Sequence, residues 1–358
     1  MPHQVLPDTP REETSKFSVK PRPKASTIEV ALQALPKSAP MHPITYLSPS
    51  LPFLQVQNTE RKTHIMSILN ITPDSFSDGG LLNPDDLTTI TATVKSHIAS
   101  GATILDIGGQ STRPHAQLLT PDQELARVLP VLRHIKTNIP EAQNIAISLD
   151  TFHAPVVRAC AEENLIDIIN DVSAGTLDPD MLRTAAEFKK TIVLMHMRGT
   201  PATMNKLTSY PDGFMSTVAK ELGARVTAAL EAGIPPWRII LDPGIGFAKN
   251  MDQNLLLLKA GVRVLRKQDT MLRYLPWLVG TSRKGFIGKI TGVEEAGERV
   301  WGTAACVAFA VAGGADVVRV HDVREMAEVV RMADGVYRRM FKEENVPRVS
   351  EANGEIEG

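Results

Sequence analysis

Polar residues that no core needs recur at eight places in this chain, each at or just beyond the C-terminal end of a short apolar run. They are Asn70 (SILNITPDSFSDGG), Ser111, Thr112 and Arg113 (LDIGGQSTRP), Asp150 (AISLDTF), Asn170 (IINDVSAG), His196 (IVLMHMRGTP), Asp242 (IILDPGIGF), Lys284 (LVGTSRKGF), and Arg319 with His321 (VVRVHDV). Their side chains sort into two chemistries. A carboxylate presented before Pro-Gly, as Asp242 is, can accept two parallel hydrogen bonds from a flat amidine-like edge. Asn170 offers a donor and an acceptor in one plane, and Asp150 and Lys284 extend the same mixed pattern. Taken singly, Asp242 reads equally well as a cap or turn residue, Asp150 and Asn170 read more readily as caps than as ligands, and Lys284 reads as part of a solvated basic loop. Together they describe a pocket for a flat heterocycle.

The second chemistry is anion binding. Arg319 and His321 flank Val320, so strand alternation puts both on one face. A buried arginine is rare unless paired. A core ion pair and an anion pocket both meet that rule, and the nearby donors Ser111 and Arg113 favour the pocket. Asn70 opens a loop with Thr72, Asp74, Ser75, Asp78, Gly79 and Gly80, suited to close over a substrate. One amide oxygen is a poor metal site alone, but it can join diphosphate oxygens and waters around Mg²⁺. Asp74 and Asp78 either assist there or serve as turn residues. His196 is at least as well explained as a structural histidine, and Met195 as an apolar wall under a flat ligand. No Cys/His cluster has zinc spacing, and neither GxSxG nor GxxxxGK[ST] occurs, which argues against serine hydrolase and P-loop chemistry.

The elements that must position these groups follow from the apolar runs. Runs at about His64–Leu69, Thr103–Ile107, Ile145–Leu149, Asp167–Ile169, Thr191–Met195, Arg238–Leu241, Trp277–Val279 and Asp316–Val320 are apolar on both faces, as strands of a helix-covered parallel sheet are. Helical periodicity fills the gaps at Pro84–Ser100, Pro121–Thr137, Phe214–Ala232 and Asp252–Leu265. Cap-plus-proline pairs at Asn83–Pro84, Thr120–Pro121 and Asp178–Pro179 predict helix starts, and Gly101 and Gly233 predict helix ends. Eight strand–helix units in succession predict an α/β (β/α)₈ TIM barrel, whose active site lies at the C-terminal ends of the strands. No Gly-rich dinucleotide fingerprint follows the first strand.

Composition sets the outer limits. The chain has 358 residues and a formal net charge of −1, so neither nucleic acid nor a membrane surface is an expected partner. Cys160 and Cys306 form no CxxC pattern, which suits a reducing compartment rather than secretion. The apolar stretch Trp301–Val318 reads as a buried helix running into a strand, not as a membrane span. Residues 1–60 are proline-dense and predict a largely irregular extension with one short helix at Thr27–Leu35. The barrel is expected over 61–345, with a flexible tail over 346–358. The acidic residues Asp8, Glu12 and Glu13 weaken any transit-peptide reading, and the compartment, cytoplasm or mitochondrion, stays open.

The motifs NITPDSFSDGG, DIGGQSTRP, LDT, IND, LMHMRGTP, LDPGIGF, GTSRKGFIG and RVHDV, in this order and spacing, resemble the dihydropteroate synthase family from about Thr63 to Arg338. The C-terminal wording resembles the eukaryotic multifunctional folate-synthesis proteins. That resemblance implies condensation of 6-hydroxymethyl-7,8-dihydropterin diphosphate with 4-aminobenzoate, release of diphosphate, and use of Mg²⁺. It implies a pterin site of Asp150, Asn170, Val172, Met195, Asp242, Phe247, Lys284 and Arg319. It implies a diphosphate site of Asn70, Ser111, Arg113, Arg319 and His321, with Asn70 on the metal, and an aminobenzoate site of Thr112, Pro114, Phe247 and Lys284. Asp150, Lys284, Arg319 and His321 would carry the chemistry. A homodimer, companion folate-synthesis domains and inhibition by sulfonamides are further implications. Pterin-binding methyltransferases of the same fold and a non-catalytic pterin-binding domain are the rivals; Ser111, Arg113, Arg319 and His321 argue against the first. Three positions depart from the pattern of the family it resembles: Gln110 where an acid is frequent, His115 where Gly is common, and Gly285 where Ser is frequent beside Lys284.

Overall fold

The apolar runs become strands whose side chains divide between two cores. The computed structural model describes residues 47–48, 62–72, 81–110 and 118–338, apart from the side chain of Leu81. Its strands are β1 (His64–Ile71), β2 (Ile104–Gly108), β3 (Ala146–Asp150), β4 (Ile168–Asp171), β5 (Thr191–Met195), β6 (Ile239–Asp242), β7 (Leu278–Gly280) and β8 (Val317–Val320). Each pairs in parallel with the next, β8 returns to β1 with His64 opposite Val317, and one bridge from Leu241 to Trp277 closes the ring between β6 and β7. The expected eight-stranded barrel is present. A two-residue strand, Leu81–Leu82, pairs with the end of β1 outside the ring.

Ten α-helices cover the barrel among the described residues: α1 (Leu87–Ser100), α2 (Pro121–Asn138), α3 (Ala154–Glu162), α4 (Met181–Glu187), α5 (Phe214–Glu231), α6 (Met251–Ala260), α7 (Val262–Gln268), α8 (Gly285–Thr291), α9 (Val300–Ala312) and α10 (Val323–Tyr337). Outward strand residues such as Leu105, Ile107, Leu149 and Leu194 pack on Val94, Leu132, Val157 and Leu222 of the helices. Inside the ring, one residue per strand forms a fully buried layer: Met66, Ile104, Ala146, Ile168, Val193, Ile240, Leu278 and Val317. Leu47 joins that layer and is itself fully buried, near the N-terminal ends of the strands. Two residues further along, the inward position is Asp106, Ser148, Asn170, Asp242 and Arg319 on five of these strands. The barrel therefore has an apolar floor and a polar upper level, because side chains of one strand face alternate in steps of two.

Several expected boundaries move for identifiable reasons. Reading strands from apolar runs stops them too early. Asn70 pairs with Gly108, Asp150 with Asn170, and Asp242 with Met195. The backbone ladder is indifferent to the polarity of the last side chain. The first helix starts at Leu87 rather than Pro84, because Asp86 caps Thr89 N at 3.0 Å while Asn83 makes its own turn to Asp85 N. Asp178 caps Ala154 N of α3 at 2.7 Å instead of beginning its own helix. The single helix expected over Asp252–Leu265 is broken at Gly261, which has φ of 66° and lies against Gly313, where an added Cβ would collide. The helix read as buried after Trp301 has an open apolar face: Trp301 is 85% exposed and Phe309 is 58% exposed. No helix among the described residues is long and apolar enough to cross a membrane. The Thr27–Leu35 helix, the tail over 346–358, and the positions Asp74, Asp78, Ser111, Thr112, Arg113, Pro114 and His115 lie outside the described residues.

Candidate active site

Strands β2, β3, β4 and β8 bring Asp106, Asp150, Asn170 and Arg319 into one bonded group. Arg319 Nε donates to Asp106 Oδ2 at 2.6 Å, and its Nη2 donates to Asp150 Oδ2 at 2.6 Å. Asn170 Nδ2 donates to the same Asp106 oxygen at 3.0 Å. That bond fixes the amide, so Asn170 Oδ1 is the edge left for a ligand. Burial pushes the Asp150 carboxyl up to about 7, with Arg319 opposing and Asp106 adding. Asp106 Oδ1 and Ser148 Oγ are buried without a partner among the described residues. Sealed cores rarely leave such atoms unpaired, which marks this level as one that receives polar ligand atoms.

The opposite side is built on turns. Asp242 ends β6, and its Oδ1 accepts from Gly244 N at 2.7 Å. Burial raises its carboxyl above the usual range, with Lys284 pulling it back. The next residues wind with Gly244, Gly246 and Ala248 all at positive φ, 66°, 83° and 49°. Lys284 precedes α8; its Nζ donates to Ile245 O and stands 4.8 Å from the Phe247 ring centre. Burial lowers this ammonium to about 8, against the attraction of Asp242. The turn is bolted to β8 by Ser282, which bonds His321 Nδ1 at 2.9 Å, and by the Arg283–Asp322 ion pair. Arg283 has φ of 59°, a left-handed conformation that costs a non-glycine residue about 1 kcal/mol.

Between these sides lies an apolar wall of Phe152, Val172 and Met195, with Phe247 packed against it. Residues singled out for pterin thus converge on one mouth: Asp150, Asn170, Val172, Met195, Asp242, Phe247, Lys284 and Arg319. Of the diphosphate set, Asn70 and His321 lie at the ends of the neighbouring strands β1 and β8, and Arg319 is engaged by two carboxylates. No group of three or more His, Cys, Asp or Glu side chains among the described residues is arranged to hold a metal. Asn70 is half-buried at the mouth. One neutral oxygen there fits a cation that takes its remaining ligands from substrate phosphate and water.

Sequence reasoning missed three residues. Asp106 sits mid-strand between Leu105 and Ile107; its inward register with Ile104 was the available signal. Lys249 reads as a solvated loop cation, yet it is 8% exposed. Glu124 reads as a first-turn surface acid of α2, yet it is fully buried and accepts from Thr151 Oγ1 at 2.9 Å and pairs with His153 Nδ1 at 2.7 Å. It also explains one departure from the family pattern. Gln110 Nε2 reaches Glu124 at 3.5 Å and its Oε1 accepts from Leu119 N at 3.4 Å, so the amide ties residue 110 to residue 119 and to α2. An acid at 110 would place a second carboxylate beside a buried one.

Comparison with known proteins agrees with this geometry. The family described as pterin binding enzyme matches residues 66–321. The dihydropteroate synthase of Synechocystis is 44% identical over 294 residues, covering 82% of this chain and 97% of that protein. The folic acid synthesis protein fol1 of Pneumocystis carinii is 39% identical over 302 residues, covering 84% of this chain. The chain spans only 40% of that longer relative. The crystal structure of Yersinia pestis dihydropteroate synthase in complex with a sulfonamide drug superposes with a TM-score of 0.70 at 33% identity, covering 81% of this chain and 98% of that one. A barrel with these motifs, matched along nearly the full length of one such enzyme, belongs to the dihydropteroate synthase family of pterin binding enzymes.

Proposed function

We propose that this chain is a transferase of folate biosynthesis that joins 6-hydroxymethyl-7,8-dihydropterin diphosphate to 4-aminobenzoate, releasing diphosphate. The carrying observation is the convergence of Asp150, Asn170, Asp242 and Lys284 on one mouth beside the Val172–Met195–Phe247 wall. Asp242 accepts from the amidine edge of the ring, and Asn170 Oδ1 accepts from a ring N–H. Lys284, with one hydrogen on Ile245 O, has two left for ring acceptors. The apolar wall supports the ring face and keeps water from it.

The reacting carbon parts from diphosphate, and the electron pair of that bond leaves with the phosphate oxygen. The carbon left behind carries positive charge shared with the electron-rich ring, and ionised Asp150 stabilises it. Arg319 holds Asp150 in place and keeps Nη1 toward the anion. The neutral arylamine then gives its lone pair to the carbon and loses a proton to the departing anion or to water. No strong base is needed; position and fixed charges lower the barrier. Mg²⁺, held in part by Asn70, would neutralise diphosphate charge when bound. Phe247 and Lys284 border the aminobenzoate position, with Thr112 and Pro114 completing it, and Ser111, Arg113 and His321 take diphosphate oxygens. The open apolar faces of α9 and α10, with Trp301, Phe309 and Met332 exposed, support a homodimer through these helices. The partial span of the Pneumocystis relative supports companion domains of the same pathway.

Diphosphate release from the pterin diphosphate, dependent on both 4-aminobenzoate and Mg²⁺, is the expected result. Pterin binding without release would favour a methyltransferase or a non-catalytic domain and sink this reading.

A further inference from the structure

We infer that Lys249 is a positioning residue for the heterocycle pocket, a buried ammonium that holds the 243–249 turn in its left-handed course and so places Phe247 and the Ile245 carbonyl against Lys284. The inference rests on the pocket assignment above. Lys249 Nζ lies 2.9 Å from Phe247 O, 2.9 Å from His196 Nδ1 and 3.4 Å from His196 O. These are three acceptors for three N–H bonds, with no donor among them. A neutral amine would turn its lone pair toward one of them, so the surroundings are built for the cation. His196 is itself prepared for this task. Its Nε2 bonds Glu221 Oε2 at 2.8 Å, and burial, helped by the Lys249 charge, lowers the ring to about 4. A neutral ring that gives its one proton to Glu221 can only accept at Nδ1. Glu221 is anchored in turn by Arg198.

The turn needs such a clamp. Gly244, Gly246 and Ala248 alternate at positive φ, a course that no regular hydrogen-bond ladder supports. Three of its carbonyls are caught by side chains from elsewhere: Ile245 O by Lys284 Nζ, Phe247 O by Lys249 Nζ, and Ala248 O by Tyr210 Oη at 2.9 Å. Ala248 adopts this conformation despite its Cβ. At Gly244 an added Cβ would collide with the His196 carbonyl that Lys249 bonds. Turn, histidine and ammonium are therefore packed as one unit. The charges that face Lys249 are Asp242 and Lys284 on the pocket side and Glu221 and Arg198 on the outer side. Burial lowers Lys249 to about 7, with Asp242 opposing. An amine buried here among three acceptors has a task, since an unneeded buried polar group is costly.

Lys249 touches no reacting atom, so its loss should appear in pterin binding rather than in the chemical step. In Lys249→Met the KM and Kd for pterin diphosphate should rise by about tenfold or more, while kcat changes far less, because the reacting carbon is held from the strand side. The double variant Lys249→Met/Ala248→Gly should recover part of that affinity, since glycine adopts the left-handed course unaided. Should Lys249→Met fail to fold, Glu221→Gln reads the same clamp from its exposed end, with a smaller rise in pterin KM expected. Unchanged pterin KM in a folded Lys249→Met variant, or in Glu221→Gln, overturns the role of Lys249. A loss confined to kcat, or a double variant with no recovery, does so too. A wild-type protein that fails to bind pterin diphosphate overturns the pocket assignment itself.

Discussion

Asp106, Asp150, Asn170, Asp242 and Arg319 reach the pocket from strands, whereas Phe247 and Lys284 reach it from turns, one of them braced by Lys249. The strand-borne half is held by ladder hydrogen bonds on both sides and by a shared carboxylate oxygen on Asp106. The turn-borne half depends on side chains that catch backbone carbonyls and on residues in left-handed conformations. The first half fixes where charge sits. The second fixes the shape of the slot, and a turn can be rebuilt by one or two substitutions where a strand cannot.

The largest expected effect tests whether both halves are needed for the ring. Asp242→Ala and Lys284→Ala should each lower turnover by about 10³-fold or more, mainly through lost pterin affinity in calorimetry; near-normal activity in Asp242→Ala would take the end of β6 out of the site, and in Lys284→Ala it would take the turn-borne half out. The bonded group on the strands should fail differently. Asp106→Ala leaves Arg319 and Asn170 without their common acceptor, and it should cost about 3 kcal/mol in chemical denaturation. That figure is at the low end for such a pair because Arg319 is partly exposed. A loss below 1 kcal/mol would mean that the group is not a unit.

The pH profile should separate the halves. Asp150, raised to about 7 by burial, must ionise to stabilise a cation, so kcat/KM should rise as pH climbs through 7. Lys284, lowered to about 8 by burial, loses its proton above that value, so kcat/KM should fall there. Lys284→Arg should push the alkaline limb well upward, because a guanidinium keeps its proton. An unmoved limb would assign it to another group. The smallest effect concerns a departure from the family pattern. A Cβ at Gly285 would meet nothing within 4 Å, so Gly285→Ser should change stability by less than about 0.5 kcal/mol. Its effect should appear in competition between a sulfonamide and 4-aminobenzoate; equal inhibition constants before and after would take position 285 out of the second pocket.

The difference between the halves also explains what the sequence could reveal. The barrel was legible because eight apolar runs with helical spacers leave little alternative. Asp150, Asn170 and Asp242 stood out because each ends an apolar run. Asp106 did not, since an acid inside a run looks like an interruption until the inward register is known. Lys249 and Glu124 were hidden because burial of a charge depends on contacts far along the chain, as with His196 and His153. The break at Gly261 was invisible for the same reason: it is set by Gly313, 52 positions later. Helix starts were misplaced where an Asx residue capped a neighbour other than its own helix, as Asp178 does for α3.

The fully buried floor layer, with Leu47 seated in it, turns the barrel into a cup with one opening. A cup works as a stack. Whatever is recognised at the greatest depth has to be loaded first, and anything seated above it acts as a cork until it reacts or leaves. Asp106 and Asn170 are almost fully buried while Phe247 is half-buried, so a ligand seated on the strand-borne groups would have to enter before one that rests on Phe247.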